Sequence, residues 1–206
     1  LNYPRTVRAK EDFMHGSYLG PAFESNEIES RLQELGAKFI KLTDDELYYQ
    51  VAKDLDNQKA VGWFQGKMEF GPRALGNRSI LADPRSSSMQ SLLNLKVKYR
   101  ESFRPFAPAI LKEYASDWFD LNEESPYMLL VADVLLKHHK EILEEDKNLF
   151  GIEKLKLPRT IIPAITHVDY SARIQTVDIK TNERFHRLLE AFYEQTGCPI
   201  LVNTSF

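Results

Sequence analysis

Six short runs set the fold class of this chain: five are mainly apolar, and one, at residues 173–177, alternates between polar and apolar residues. Each run spans four or five residues. This pattern is typical of buried β-strands, because a helix needs about ten residues or more. The runs lie at residues 60–64, 79–82, 107–111, 128–132, 173–177 and 199–202.

Amphipathic stretches with helix-capping residues lie between or before these runs. Two of them end at glycines, Gly36 and Gly197, which commonly close helices. The predicted helices begin at Ser25, at Asp44 or Asp45, after Ser88 and at Asn182. Strands mixed with helices, without internal repeats, predict one domain of the α/β or mixed α+β class. We expect this domain to span residues 24–206, and the irregular residues 1–23 to form a linker or cover segment.

Composition excludes several classes of protein. The chain of 206 residues has one cysteine, Cys198, which excludes both a disulfide framework and a thiolate zinc site. It lacks any run of about 18 apolar residues, and such a run is what a membrane-spanning helix requires. The net charge of −3 argues against a surface that binds nucleic acid throughout. We therefore expect a cytoplasmic protein whose partners include neither a membrane nor a nucleic acid.

The two ends of the sequence suggest a larger parent protein. The chain starts without a Met and stops directly after an apolar run, with no polar tail. We therefore expect it to be an excised part of a longer chain.

Positive charge is concentrated in residues 66–105. This segment has eight Lys or Arg residues against three Asp or Glu residues, so the rest of the chain carries a net charge of −8. A cationic segment in an acidic chain indicates a local anion site. Gly71 and Gly76 enclose Arg73 in a tight turn, where backbone N–H groups and a planar guanidinium can both approach a phosphate. On the other hand, a single arginine is more often exposed or ion-paired, and residues 71–78 lack the Lys-Ser/Thr pair of a Walker loop.

Four motifs are much more specific than their separate residues. The longest is WFQGKMEFGPRALGNRSILADPR at residues 63–85. It is followed by LKVKYRESFRPFAP at 95–108, IPAITHVDYSARIQTV at 162–177 and GCPILVNTSF at 197–206. In this order they resemble the C-terminal part of the NodU-type O-carbamoyltransferases, which include nodulation-factor, cephamycin and tobramycin carbamoyltransferases. The resemblance runs from Gly20 to the last residue.

The resemblance implies a fold and a reaction. The fold would be a YrdC-like domain with a twisted open sheet and flanking helices. In this domain, the substrate carbamoyl phosphate would react with ATP, accompanied by Mg²⁺, to give carbamoyl-adenylate. The carbamoyl group would then pass to a small-molecule hydroxyl on an N-terminal actin-like domain of the same chain, which is missing here and would also hold an iron. Because the family's motif continues past residue 206, the nucleotide pocket would be truncated, and homodimer formation stays open.

The resemblance also assigns roles to nine polar residues. Three of them, Lys96, Arg78 and Arg173, are predicted to act in catalysis by holding the transferring group. The predicted phosphate- and nucleotide-binding residues are Arg73, Lys98, Arg100, Arg104, Asn203 and Ser205. We expect one anion to be surrounded by Arg73, Arg78, Lys96 and Arg173. No residue is predicted to bind a metal.

Other conspicuous side chains are expected to be structural. We expect Glu69 to pair with Arg73 and Cys198 to pack in the core. His167 and Asp169 lack a third metal ligand nearby in the sequence, so a structural use is expected for them as well. One aromatic residue between 63 and 106 could stack on adenine.

Three other functions stay open on the sequence alone. A threonylcarbamoyl-adenylate synthase for tRNA modification would use related chemistry, although the motif at 70–76 favours transfer to a hydroxyl. A non-catalytic RNA-binding module would need aromatic residues interleaved on an exposed basic sheet. A degenerate domain that binds nucleotide without chemistry would be expected to have lost some of the cations present here.

Overall fold

A mixed six-stranded sheet lies at the centre of the structure, a computed structural model that describes residues 12–142, 149–151, 153, 155 and 157–206. The strands lie in the order β1-β2-β6-β3-β5-β4, and only β3 and β5 run parallel to each other. They are β1 (Val61–Phe64), β2 (Arg78–Ala82), β3 (Ala107–Leu111), β4 (Leu130–Asp133), β5 (Ser171–Val177) and β6 (Ile200–Thr204). The mixed α+β class and all six predicted strands are confirmed, with bounds shifted by two residues or fewer. The predicted linker at 1–23 lies partly outside the described residues and stays a prediction.

Strand β6 joins the two parts of this sheet. It pairs antiparallel with β2 on one side and with β3 on the other, so that Asn203 lies between Leu81 and Ala107. In the described sheet, β1 and β2 are connected to β3, β5 and β4 only through β6. Residues of β2, β3 and β6 are buried almost throughout, as expected for central strands.

Five helices flank the sheet in the described part of the chain. They are α1 (Ser25–Glu34), α2 (Asp44–Asp56), α3 (Met89–Lys96), α4 (Ala115–Trp118) and α5 (Glu183–Thr196). Four of them match predicted helices, whereas the four residues of α4 are too few to show a helical period. None of the described helices is both long and apolar enough to cross a bilayer.

Side-chain caps fix the starts of the two long helices. The Asn182 side chain accepts a hydrogen bond from Phe185 N (3.3 Å) at the start of α5, and Gly197, with φ of +71°, ends that helix. Helix α2 starts with a capping box in which Thr43 and Glu46 bond each other reciprocally. The cap of α2 is thus one residue before the predicted start.

The main core lies between the sheet and helices α2 and α5. Its fully buried side chains include Leu55, Leu81, Ile110, Phe185 and Phe192. Burial of one such side chain contributes about 1.5–3 kcal/mol. Cys198 packs in this core as predicted, and burial raises the pKa of its thiol to about 12.

Two glycines of the β1–β2 loop provide a matched test of this packing. Both have positive φ, but a Cβ on Gly76 would lie 2.2 Å from Cδ1 of the buried Phe185, whereas a Cβ on Gly71 would meet nothing within 4 Å. Gly76→Ala should therefore lower the free energy of unfolding by about 3 kcal/mol or more, from backbone strain plus overpacking. Gly71→Ala should cost only the strain, about 1–2 kcal/mol. Chemical denaturation measures both, and equal losses would contradict the close packing of Gly76 on Phe185.

Candidate anion-binding site

A buried carboxylate organises the loop between β1 and β2. Oε1 of Glu69 accepts hydrogen bonds from three backbone N–H groups, those of Leu75 (2.8 Å), Asn77 (2.7 Å) and Arg78 (3.1 Å). Glu69 is only 6 % exposed, so these donors take the place of water. The expected pairing of Glu69 with Arg73 is wrong, because the carboxylate folds the loop that carries Arg73 instead of neutralising it.

A network of buried side-chain amides supports this loop from behind. Gln65 Nε2 donates to both Asn77 Oδ1 (2.8 Å) and Asn182 Oδ1 (2.7 Å). Asn182 Nδ2 in turn donates to the Tyr18 hydroxyl (2.8 Å), which donates to the Leu75 carbonyl (2.9 Å). This network therefore connects the cap of α5 to both ends of the β1–β2 loop and fixes their relative positions.

The same network continues into β5 and β6. Gln175 Nε2 also donates to the Leu75 carbonyl (2.9 Å), and Asn203 Nδ2 donates to Gln175 Oε1 (2.7 Å) and to the Ala74 carbonyl (3.1 Å). Gln175 and Asn203 are 2 % and 1 % exposed. The loop is thus tied to the two strands on which one wall of a cavity is built.

A cavity of about 290 Å³ opens between the loop, residues 98–107 and the ends of β5 and β6. Four cationic side chains line it, and no Asp or Glu lies among its lining residues. The cations are Arg73, Lys98, Arg100 and Arg173. Cations gathered without a carboxylate favour an anionic ligand.

Contacts with uncharged groups hold three of these cations in place. Arg100 Nε donates to Oδ1 of the buried Asn94 (2.6 Å), and its guanidinium lies over the Phe106 ring, 4.9 Å from the centroid. Lys98 Nζ donates to the Ser205 carbonyl and hydroxyl. Arg173 Nη2 contacts the Met128 sulfur at 3.8 Å. These contacts orient the charges without cancelling them.

Burial and mutual repulsion disfavour the charged forms of two cations in the cavity, Arg173 and Lys98. Burial, and then the charge of Arg73, lowers the pKa of Arg173. Burial, and then the charge of Arg100, lowers the pKa of Lys98. Among the described residues, none of the four cations forms an ion pair with a carboxylate. An anion in the cavity would relieve both the desolvation and the mutual repulsion.

The structure brings six of the nine predicted site residues together. Arg73, Lys98, Arg100, Arg173, Asn203 and Ser205 all line the cavity. Arg78, Lys96 and Arg104 do not, so Arg73 and Arg173 line one cavity without Arg78 and Lys96. Lys96 is an exposed residue at the end of α3, and Arg104 forms an exposed ion pair with Glu101 (3.0 Å). The catalytic role of Lys96 and the binding role of Arg104 stay predictions.

Arg78 is engaged elsewhere. Its guanidinium donates four hydrogen bonds, of 2.6 to 3.3 Å, to backbone carbonyls and lies over the Phe64 ring at 3.5 Å from the centroid. These carbonyls belong to Gln65, Asn77, Pro21 and Gly66. This arrangement is that of a residue that braces the start of the β1–β2 loop, and a catalytic role for Arg78 stays a prediction.

The sequence did not reveal two uncharged residues that organise the site, Asn94 beside Arg100 and Gln175 beside Asn203. Asn94 and Gln175 are buried amides on elements that were predicted correctly, but no motif distinguishes them from neighbouring core residues. The available signal was a polar amide at a position where helical or strand spacing expects burial. His167 and Asp169 are exposed, and the hydrogen bonds from Ser171 lower the pKa of Asp169, which agrees with a structural use.

Comparison with known proteins places this geometry in a family context. The model of the family described as Carbamoyltransferase C-terminus matches residues 52–206. The uncharacterized protein sll1178 of Synechocystis is 55 % identical over the whole chain, which covers 34 % of that protein. Nodulation protein NolNO of Sinorhizobium fredii is 39 % identical over 92 % of this chain and 25 % of its own length. Nodulation protein NolO of Bradyrhizobium diazoefficiens is 43 % identical over 79 % of this chain and 26 % of its own length. The chain thus spans about a quarter to a third of these relatives.

The Glu69 carboxylate should be essential to the site although it does not line the cavity. Glu69→Gln replaces the charged carboxylate that accepts three N–H groups with a neutral amide, so the charge assistance of these bonds is lost and the free energy of unfolding should fall by about 1–3 kcal/mol. Because Arg73 lies on the same loop, phosphate should also raise the melting temperature of the variant less than that of the wild type. Glu101→Gln, at an exposed ion pair, is the control and should change stability by about 0.5 kcal/mol or less. Equal effects of the two substitutions would contradict the organising role of Glu69.

Proposed function

The chain belongs to the family of carbamoyltransferase C-terminal domains, and from this membership we propose that its cationic cavity binds the anionic reactants of carbamoyl transfer. The proposed reactants are carbamoyl phosphate and ATP, and the product is carbamoyl-adenylate. In the first step, water cleaves carbamoyl phosphate into carbamate and phosphate. A carbamate oxygen then attacks the α-phosphorus of ATP and displaces pyrophosphate.

The observation that carries this proposal is the set of four cations without a carboxylate. A phosphoryl group offers several acceptor oxygens, and arginine matches them with two parallel N–H donors. The cavity of about 290 Å³ lies at the lower end of ligand sites, which commonly measure about 300–1,000 Å³. Its size therefore suits carbamoyl phosphate or part of a polyphosphate, with the adenosine outside the lined volume.

The proposed chemistry needs oriented positive charge rather than a nucleophile. Arg173 on β5 and Arg73 on the β1–β2 loop would hold one phosphoryl group, while Lys98 and Arg100 would hold the other reactant. Because their uncharged partners already orient these side chains, little reorganisation is needed when charge develops during the reaction. Asn203 and Ser205 add uncharged polar groups at the same wall.

The lining residues also bear on Mg²⁺. Mg²⁺ is usually bound through one or two carboxylates together with substrate phosphates. The cavity lining provides no carboxylate, so a Mg²⁺ that accompanies ATP would be held by phosphate oxygens and water. We assign no step of the reaction to it.

Transfer to an acceptor is a separate proposal. The relatives are three to four times longer than this chain, and their remaining length provides room for an acceptor domain. We therefore propose that a hydroxyl-bearing small molecule is bound outside the residues described here. The match to a carbamoyltransferase family supports this acceptor over the threonine of a tRNA-modifying synthase.

Arg173 provides the direct test of the proposed reaction. Arg173→Met should lower carbamoyl-phosphate-dependent pyrophosphate release by about two to three orders of magnitude, because a preorganised charged donor is lost. The melting temperature should not fall, since the substitution also removes the repulsion between Arg173 and Arg73. Arg187→Met is the control, because Arg187 pairs with Glu190 on the surface of α5 outside the cavity. Near-normal release by Arg173→Met would overturn the proposed role of the cavity.

Substitution of Arg78 distinguishes a structural role of this residue from a catalytic one. Arg78→Met removes four hydrogen bonds to backbone carbonyls and should lower the free energy of unfolding by about 1–3 kcal/mol. Pyrophosphate release by the folded variant should fall much less than in Arg173→Met. A loss of two orders of magnitude with an unchanged melting temperature would instead establish Arg78 as a catalytic residue.

A further inference from the structure

Asn203 lines the cationic cavity and has a buried side-chain oxygen that lacks a hydrogen-bond partner among the described residues. The residue lies in β6 between β2 and β3, is 1 % exposed, and lines the cavity. Its Nδ2 has two acceptors, the Ala74 carbonyl (3.1 Å) and Gln175 Oε1 (2.7 Å). Its Oδ1 is buried and has no hydrogen-bond partner among the described residues. Such an atom is uncommon, because a buried polar atom without a partner destabilises the fold.

The surrounding network fixes which end of the Asn203 carboxamide is free. Rotating the amide by half a turn would place Oδ1 against two other acceptors, the Ala74 carbonyl and Gln175 Oε1. Gln175 cannot turn to compensate, because its own Nε2 donates to the Leu75 carbonyl (2.9 Å). The oxygen of Asn203 is therefore the end that remains available for a ligand.

This acceptor is chemically different from the rest of the cavity. The four cations that line the cavity are all donors, and they suit the oxygens of an anion. Oδ1 of Asn203 requires a donor. A ligand that satisfies both must combine an anionic group with an N–H or O–H group within the same small volume. Carbamoyl phosphate has this combination, because its amide NH₂ is next to the phosphorylated carbonyl.

We propose that Oδ1 of Asn203 accepts a hydrogen bond from the carbamoyl NH₂ and thereby selects carbamoyl phosphate over acyl phosphates of the same shape. This inference rests on the proposed function of the cavity. A site built to bond a substrate N–H discriminates against the analogue that lacks it, because the buried acceptor is then left without a partner. Asn203 is thus a specificity residue for the carbamoyl group, whereas the cations of the cavity hold the phosphate.

The test compares two stable phosphonates that differ only in the group next to the carbonyl. Phosphonoacetamide has an NH₂ group where acetonylphosphonate has a methyl group, and both have the same carbonyl and phosphonate. Isothermal titration of the purified protein with each compound, and with inorganic phosphate, measures the preference. We expect phosphonoacetamide to bind about tenfold more tightly than acetonylphosphonate, the effect of one well-placed hydrogen bond.

Substitution of Asn203 assigns the preference to this side chain. Asn203→Ala should bind the two phosphonates within about twofold of each other, so that the ratio of the two affinities, and not either affinity alone, reports the loss of the acceptor. Asn57→Ala is the control, because Asn57 is an exposed asparagine at the end of α2 and should keep the full preference. If Asn203→Ala does not fold, Asn203→Ser takes its place, since a hydroxyl can still donate to the Ala74 carbonyl but cannot extend as far.

The outcomes separate this inference from the proposed function. If the wild-type protein binds all three anions but does not prefer phosphonoacetamide, the inference is overturned and the anion site stands. The same holds if a folded Asn203 variant keeps the preference. If the wild-type protein binds none of the three anions, the proposed function of the cavity fails as well.

Discussion

The three hydrogen bonds to Glu69 Oε1 are the interaction on which the site depends. A carboxylate that accepts from backbone N–H groups replaces its lost hydration with charge-assisted bonds, each worth about 1.5–3 kcal/mol. Those bonds set the path of residues 70–78. The carbonyls of Ala74 and Leu75 then face the core, where Asn203, Gln175 and Tyr18 donate to them. One buried charge therefore determines both where Arg73 lies and how the strands beneath it are joined to the loop.

The charges that line the cationic cavity disfavour the folded state in the absence of a ligand. Its charges are partly desolvated and repel one another, yet each of three cations is held by a neutral neighbour, such as Asn94 beside Arg100. Carboxylates beside the same cations would offset their mutual repulsion but would compete with an anionic ligand. The structure instead uses amides, a thioether and backbone carbonyls, which orient a cation and leave its charge for a ligand.

Periodicity was sufficient to predict the strands and most helices, because burial imposes a spacing that sequence displays directly. The end of α5 at Gly197 likewise follows from local chemistry, whereas the cap of α2 at Thr43 lies one residue before the predicted start. Arg78 and Arg173 show where this reasoning stops, since both are arginines within conspicuous motifs. Only the fold shows that the Arg78 guanidinium donates to backbone carbonyls, whereas Arg173 lines the cavity. Gln175 could not be recognised, because its partners Leu75 and Asn203 come from distant parts of the chain. Asn94 has partners only six to ten residues away, but its spacing in the helix is that of an ordinary core position.

The position of β6 has a consequence for when the cavity can form during synthesis. This strand follows the other five in sequence but lies inside the sheet, where it is the bridge between β1-β2 and β3-β5-β4. A ribosome must therefore synthesise almost all of these 206 residues before the two halves of the sheet can join. The cavity, whose wall includes Asn203, cannot exist in a nascent chain that has only the earlier strands. Ligand binding is thus coupled to completion of the whole sheet, and a ligand that binds only the completed form stabilises all of it.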